Sequence, residues 1–241
     1  MKTLVILQSN YIPWKGYFDL MAAADEFVLF DEAQFTKNDW RNRNRIVLAG
    51  KAHWLTIPVA TAGRFRAPIS EVEAANGDWA RMHWETIRQA YRKAPHFAEM
   101  VPVIEAVYAT AAGHTNLSEI NALFLRHLAP LLGITTTLLQ SDTVPRTTGD
   151  PTGRLVEICQ ARGATRYISG PAARAYIKTE LFEEAGISLW YVSYDGYPVY
   201  DQAMEPFVHG VSLIDTLMRC GTSARLHLNS VSRPQSFLEP A

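Results

Sequence analysis

Two segments near the start of the chain concentrate the residue types that bind small anions and rings. The first runs from Gln8 to Phe18 and the second from Asp31 to Arg45, where arginine, lysine, asparagine and aromatic residues are dense. Arginine offers a rigid fork of donors for phosphate or carboxylate, asparagine offers amide donors and acceptors, and an aromatic face suits a ring or a sugar. These segments predict a site for a small anionic ligand.

Two residues of the second segment are candidates for catalysis. Asp31 follows a predicted strand and could hold an amine or a sugar hydroxyl or act as a base, or it could instead cap a helix or turn. Lys37 would add a mobile positive charge to the same site, unless it is an ordinary surface lysine. The candidate substrate-binding residues are Gln8, Asn10, Tyr11, Trp14, Tyr17, Gln34, Trp40, Asn42, Arg43, Asn44, Ser169, Gly170, Tyr200 and Gln202.

The basic segment has an alternating pattern. If it is extended, Arg41, Arg43 and Arg45 lie on one face, with Asn42 and Asn44 on the other. The arginines then form either an anion clamp or a solvated strand edge that opposes aggregation. The aromatic candidates could likewise seat a ring or pack the core or a lid.

The later candidates also have two interpretations. Ser169 and Gly170 lie at a predicted strand-to-helix turn, whose backbone amides could bind an anion or only turn the chain. Tyr200 and Gln202 could line the second wall of a cleft or fill a loop.

The elements that position these residues are predicted to be those of an α/β fold. Residues 3–8 and 26–30 have the apolar, β-branched character of buried strands, and 16–24 between them has the pattern of a short helix. A strand, a helix and a strand within so few residues form a βαβ unit and imply a parallel sheet. Because ligands bind beyond the carboxyl ends of such strands, Gln8 and Asp31 should lie close together.

The rest of the chain is predicted to complete a single domain over 1–241. Helical spacing from about 78 to 132 indicates a helical insertion that covers the sheet. Residues 61–70 are expected to form a mobile surface loop, and 229–241 a flexible, frayed tail. Further strands are predicted at 135–139, 166–169 and 187–194. The fold class is α/β, with a Rossmann-like (HUP-like) parallel sheet and a helical insertion.

Composition excludes several classes of protein. The formal net charge of −1 gives no basic field, so we expect no nucleic-acid partner. Two cysteines, Cys159 and Cys220, are the usage of a reducing cytosol. The first residues lack the apolar length of a signal peptide or a membrane span. We therefore expect a soluble, cytoplasmic protein with no membrane insertion.

Absent motifs narrow the chemistry. The sequence has no P-loop, GxGxxG, HExxH, DxD or GxSxG, so no metal site is predicted and no cofactor is evident. Cys159 has the apolar surroundings of a buried small hydrophobe, and Cys220 lies at a helix C-terminus, where the dipole disfavours a thiolate. A Cys–His route stays open through the unplaced histidines, His53, His83, His114 and His209.

Motifs spread over almost the whole length carry a resemblance to a known family: Gln8–Phe18, Asp31–Arg45, Leu55–Val59, Tyr167–Gly170, Tyr197–Phe207 and Leu213–Gly221. On these motifs the chain resembles the WbqC-like family. The family occurs with O-antigen and other surface-sugar gene clusters, so the resemblance implies a role in making or decorating activated sugars. Members usually open with His-Gln-Pro-Asn-Tyr, whereas Leu7 and Ser9 replace the His and the Pro here. If that histidine is catalytic elsewhere, this chain uses another group or performs a different reaction.

A fainter similarity links the chain to nucleotidylyltransferases of the HUP class. Their HxGH motif corresponds in place to Trp14–Tyr17, and their ISxTxxR turn to Ile168–Arg174, but both catalytic histidines are absent. The similarity implies a phosphate-binding, Rossmann-like layout and does not imply adenylyl transfer.

Residues and resemblance together predict a transferase of surface-polysaccharide or amino-sugar metabolism. It would form an amide by moving an acyl or aminoacyl group onto the amine of a nucleotide-linked sugar. An acyl thioester donor would need no metal, and an acyl or peptidyl carrier protein could deliver it. Two alternatives stay open: an adenylate-forming enzyme of the HUP type that uses ATP, and a non-catalytic module that binds a carrier protein or a glycan intermediate.

Overall fold

The structure is a computed structural model that describes residues 1–60, 66–75 and 78–241. In chain order its strands are β1 (Thr3–Leu7), β2 (Glu26–Leu29), β3 (Arg43–Leu48), β4 (Lys51–Thr56), β5 (Val59–Ala60), β6 (Glu73–Ala74), β7 (Thr137–Gln140), β8 (Arg166–Ser169), β9 (Ser188–Val192) and β10 (Leu238–Pro240). Its α-helices are α1 (Lys15–Ala22), α2 (Asp78–Tyr91), α3 (Phe97–Ala111), α4 (Leu117–Leu128), α5 (Pro151–Ala161), α6 (Thr179–Glu184), α7 (Leu213–Cys220) and α8 (Asn229–Ser232).

The central sheet is mostly parallel, with the order β10-β9-β8-β1-β2-β7. β1 pairs in parallel with both β2 and β8, which places Val5 between Phe27 and Ile168. Apolar residues occupy both faces of β1, because a parallel strand covered by helices is buried on both sides. The predicted βαβ unit is confirmed, since β1, α1 and β2 form it.

Helices cover both faces of the sheet. Val5 and Phe27 belong to a large apolar cluster with residues of α1, α2, α3, α4 and α7, whereas Leu4 and Val28 belong to a smaller one with α5 and α6. Alternate residues of each strand therefore meet opposite layers. The three helices predicted between 78 and 132 are present and contribute to the large cluster. Within the described ranges, no helix combines the length and the apolar character needed to cross a bilayer.

β3 and β4 form a separate antiparallel hairpin. Its inner side carries the buried Asn44, Ile46 and Leu55, while Arg43 and Arg45 are only partly buried. The alternation predicted from the sequence is therefore present. The hairpin and the chain leading into it carry the basic segment to the loop after β1, where the backbone N–H of Tyr11 donates to the carbonyl of Trp40 at 3.0 Å.

Two segments differ from their predictions, and a third prediction falls partly outside the described residues. Residues 229–241 form α8 and β10 rather than a frayed tail, because Phe237 is buried and β10 pairs with β9. The helix predicted after Gly170 is a short 3-10 helix over Pro171–Ala175. The surface loop predicted over 61–70 lies partly outside the described residues.

Candidate functional site

The opening loop, residues 8–14, is fixed by side chains from other elements. Tyr17 donates its hydroxyl to the carbonyl of Gln8 at 3.1 Å, and Asn44 Nδ2 donates to the carbonyls of Tyr11 and Ile12 at 3.0 and 3.1 Å. Ile12 has a φ of 35°, a left-handed conformation that β-branched residues rarely adopt. Such strain persists only where surrounding contacts over-determine the backbone. The shape of this loop is therefore set by the fold.

Arg41 joins the basic segment to the opening loop. Its Nη1 donates to Asn10 Oδ1 at 2.5 Å, and its Nη2 donates to Gln8 Oε1. Its carboxylate partner is Asp39, whose Oδ2 lies 3.6 Å from Nη2, which is longer than a charge-assisted hydrogen bond. Neutral amides thus hold the guanidinium at the carboxyl end of β1, where its positive charge can attract an anion.

Asp31 is the buried carboxylate of the site. Oδ1 accepts from the backbone N–H of Ser9 at 2.8 Å, and Oδ2 accepts from Ser118 Oγ. Burial raises the pKa of this carboxyl above its usual range, although the hydrogen bonds and the charge of Arg41 act in the opposite direction. A raised pKa makes Asp31 a stronger proton acceptor than a free carboxylate.

Two cavities adjoin these residues. A polar cavity of about 520 Å³ lies at the carboxyl ends of β2 and β7, and Asp31, Ser118 and Gln140 are part of its lining. The opening loop connects to this cavity through Ser9, whose backbone N–H bonds to Asp31, and Asn10 of the same loop lines a second cavity. That second, aromatic cavity has a volume of about 310 Å³ and is lined by Asn10, Trp14, Trp40, Asn44, His209 and Gly210.

A surface that we call the Arg–Trp face is formed by Trp40, Arg43, Arg45 and Trp54. The two indole rings lie 5.3 Å apart, with exposed fractions of 37% for Trp40 and 40% for Trp54. The Arg43 guanidinium lies 4.3 Å over the Trp54 ring, and Arg45 lies 5.5 and 5.4 Å from the Trp40 and Trp54 rings. Trp40 also lines the 310 Å³ cavity, so the face and the cavity are continuous.

Tyr200 and Gln202 lie in a buried cluster around Asp215. The Tyr200 hydroxyl donates to Asp215 Oδ2 at 2.7 Å, and Gln202 Nε2 donates to the same oxygen at 3.1 Å. Lys15 Nζ lies 5.4 Å from the centre of the Tyr200 ring and donates to the Pro198 carbonyl at 2.7 Å. Burial lowers the pKa of Lys15 to about 8. The cluster does not line the aromatic cavity but adjoins it, because the Tyr200 ring packs on Phe207, which contacts the lining residue His209.

Other predicted residues lie in the interior or beside β8. Tyr11 is buried, with its hydroxyl 2.8 Å from His83 Nδ1, and Asn42 Nδ2 donates to the carbonyl of Ile57 at 2.8 Å. Both side chains bond to other parts of the protein. Ser169 is buried at the end of β8, next to β1, and Gly170 follows it.

Two predicted residues lie towards the surface. Lys37 is exposed on the turn beside Asn38, whose carbonyl accepts from Arg43. Gln34 is exposed and forms an isolated bridge with Pro68. The proposed roles of both residues stay predictions.

The thiols lack the surroundings of a nucleophile. Burial raises the pKa of Cys159 to about 12 and that of Cys220 to about 11, so neither forms much thiolate near neutral pH. Among the histidines, His83 is buried, and burial lowers its pKa to about 4. His114 lines the polar cavity and His209 the aromatic one.

The comparison with known families decides to which family the chain belongs. The model of the WbqC-like protein family matches residues 8–227. The chain belongs to the WbqC-like protein family. A relative in Mycobacterium tuberculosis (strain ATCC 25618 / H37Rv), the uncharacterized protein Rv1507c, is 43% identical over 224 residues, which are 93% of this chain and 96% of the relative. No solved structure matches the chain.

Sequence reasoning missed two residues that hold the WbqC-like site together. Ser118 donates to Asp31, and Asn121 Nδ2 donates to Ser9 Oγ at 3.0 Å and to the Arg41 carbonyl at 2.9 Å. Both are on the first turns of α4, three positions apart, and therefore on one face. Two polar residues on the buried side of an apolar helix are the signal that could have revealed them.

Two further residues were missed because their contacts depend on the strand register or on residues distant in the chain. Trp54 faces the arginines only through the β3–β4 register, in which Arg45 lies opposite Trp54. Arg154 is 1% exposed and forms two bonds of 2.9 Å with Glu32, the neighbour of Asp31. A lone arginine among the apolar residues of α5 was the available signal for Arg154.

Proposed function

We propose that this WbqC-like protein is a transferase of surface-polysaccharide or amino-sugar metabolism that forms an amide. It moves an acyl or aminoacyl group onto the amine of an anionic small molecule. The observation that carries the proposal is the junction of Arg41 with Gln8 and Asn10, next to Ser9, the partner of Asp31. An anion-binding group and a proton acceptor thus lie side by side after β1.

The strand order supports this location for the ligand. Counted along the chain, the parallel strands lie in the order third, second, first, fourth, fifth, as β7-β2-β1-β8-β9. Rossmann-like sheets have this order and bind ligands where it reverses, which here is outside β1 and β8. Gln8 and Asn10 follow β1, and Ser169 and Gly170 follow β8.

In the proposed reaction, Asp31 is the base. The amine nitrogen attacks the carbonyl carbon of an acyl thioester, so that a C–N bond forms and the C–S bond breaks. Asp31 takes the proton from the nitrogen and passes it to the departing thiolate. Lys37, on the exposed turn beside the Arg–Trp face, would meet the phosphate of a donor that a carrier protein delivers. No cofactor is needed for this exchange.

The experiment is an amide-formation assay by mass spectrometry. The purified chain is incubated with acyl and aminoacyl thioesters and a panel of amino-sugar phosphates and nucleotides. Asp31→Asn should lower the rate by about 10²- to 10⁴-fold, the usual contribution of a general base. The matched control is Asp142→Asn, because Asp142 is an exposed carboxylate that lines the same cavity. An Asp31→Asn protein that works at the wild-type rate would refute the role of Asp31, and the absence of any amide product would refute the reaction.

The strand order also favours a second candidate, an adenylate-forming enzyme of the HUP type. That reading predicts binding of ATP with magnesium and release of pyrophosphate. A pyrophosphate assay with the same acceptor panel separates it from thioester-dependent transfer. Ligand affinity with no turnover in either assay would indicate a binding module.

A further inference from the structure

The Arg–Trp face is a partly exposed surface that the proposed reaction does not use. Trp40 and Trp54 present two neighbouring indole rings, each more than a third exposed. Because Arg45 lies directly opposite Trp54 in the hairpin and Arg43 precedes it by two residues, the three side chains share one face. Rings and guanidinium groups are therefore displayed together by a regular backbone.

The arginines of this face bond to backbone carbonyls. Arg43 donates to the carbonyl of Asn38, and Arg45 Nη2 donates to the carbonyl of Gly210 at 2.9 Å. Among the described residues, neither guanidinium lies within ion-pair distance of a carboxylate. Two positive charges stacked near one indole repel each other, so an anion between them would be stabilised by both.

The size of the face favours a small molecule over a protein partner. Strands of six residues, as in β3 and β4, are about 20 Å long and lie about 5 Å apart. The hairpin surface is therefore a few hundred Å² at most, below the roughly 800 Å² per partner of a stable protein interface. Since Trp40 also lines the 310 Å³ cavity, one ligand can occupy both.

We propose that the Arg–Trp face binds the nucleotide part of the substrate. The base stacks on the Trp40–Trp54 pair, a phosphate lies against Arg43 and Arg45, and the appended sugar enters the aromatic cavity towards Arg41. Every base has a face that stacks on an aromatic side chain, and arginine adds attraction for phosphate. This inference rests on the proposed function, whose acceptor it identifies as a nucleotide-linked amino sugar.

Calorimetric titration with UMP, UDP, AMP and ADP tests the subsite. Trp54→Ala should weaken the binding of the best of these nucleotides by about 5- to 150-fold, the effect of losing one base–aromatic stack. Trp54→Phe should bind within a few-fold of wild type, since it keeps a ring. Arg43→Gln should cost on the order of 10-fold.

The matched control is Arg166→Gln. Arg166 of β8 lies 4.7 Å over the ring of Trp190 on β9, so this pair repeats the arginine–tryptophan contact elsewhere in the molecule. Loss of the Arg166 guanidinium should therefore leave nucleotide affinity unchanged. Circular dichroism melting checks that each variant is folded.

Three results would overturn the subsite. The first is that no nucleotide binds, and the second is that a nucleotide binds Trp54→Ala as tightly as wild type. The third is that inorganic phosphate or a methyl hexosaminide binds through these residues as tightly as the nucleotides. Failure here is distinct from failure of the proposed function. Amide formation on an amino sugar without a nucleotide, unaffected by Trp54→Ala, would remove the subsite and keep the transferase. Nucleotide binding through Trp54 without amide formation would keep the subsite and refute the transferase.

Discussion

The two halves of the site are built on opposite principles. In the inner half, the polar side chains of Asp31, Arg41 and Asn44 bond to the opening loop or its neighbours. In the outer half, the Arg–Trp face, the arginines bond to backbone carbonyls while the tryptophans stay more than a third exposed. The difference separates polar groups whose positions the fold fixes from rings that remain open to solvent.

This contrast has an energetic consequence. Changes in the inner half should reduce stability, because they leave buried polar groups without partners. Changes in the outer half should alter binding while the fold stays intact, since partly exposed side chains contribute little to stability. Each of the following variants tests one side of that distinction.

The largest loss of stability is expected from a change at Arg154, whose partner Glu32 follows Asp31 in the chain. This arginine is buried and bonded to Glu32 and to the carbonyls of Ser141 and Val144. Arg154→Met should lower the free energy of unfolding by about 3 to 5 kcal/mol, the cost of breaking a buried ion pair. Denaturant unfolding measures it.

The control for that variant is Arg146→Met. Arg146 Nη1 lies 3.8 Å from the same Glu32, but its side chain is 50% exposed, so the expected loss is below about 1 kcal/mol. Equal losses for the two arginines would show that burial does not decide their contributions.

Lys15, in the buried cluster around Asp215, should make the stability of the protein depend on pH. Burial lowers its pKa in the folded protein from 10.5 to about 8, so between these values the unfolded chain binds more protons than the folded one. The free energy of unfolding should therefore rise with pH over this window, by about 3 kcal/mol in total. Unfolding curves between pH 7 and 10.5 measure the rise in wild type and in Lys15→Met. The rise attributable to Lys15 should be missing in the variant; an identical pH dependence would mean that Lys15 titrates normally.

A smaller loss is expected at Asn44. Asn44→Ala removes the donor of two buried carbonyls, those of Tyr11 and Ile12, and should cost about 1 to 3 kcal/mol. Amide exchange in the opening loop should accelerate as well, because Asn44 is one of the groups that hold Ile12 in its strained conformation. Asp150→Ala, which removes the N-cap of α5 on the other face of the sheet, should destabilise the protein without this local acceleration.

The smallest effect on stability is expected at Trp54. Because this side chain is 40% exposed, Trp54→Ala should change the free energy of unfolding by no more than about 1 kcal/mol. Thermal melting of the variant checks this value. A loss as large as that of Asn44→Ala would place Trp54 in the structural half of the site and erase the contrast.

Local patterns were sufficient to predict part of this molecule. The β1–α1–β2 unit follows from apolar runs separated by a short helix, and the alternation of β3 correctly placed Asn44 and Arg43 on opposite faces. These predictions depend only on residues close together in the chain. The convergence of the opening loop with Arg41 followed from the rule that ligands collect at the carboxyl ends of parallel strands.

Contacts between distant residues could not be predicted. Ser118 lies 87 positions from Asp31, and Arg154 lies 122 positions from Glu32. No sequence periodicity connects such pairs, so only the folded structure shows which residues fix the position of Asp31. The attachment of the C-terminal segment depends on Phe237, whose signal is hidden by its polar neighbours.

The most direct test is a crystal structure of the chain with a bound amino-sugar nucleotide. The proposed site should hold the base and one phosphate on the Arg–Trp face and the phosphate that carries the sugar within hydrogen-bonding distance of Arg41, with the sugar amine directed towards Asp31. A ligand bound elsewhere, with the Arg41 guanidinium still held by Gln8 and Asn10 and far from any phosphate, would contradict it.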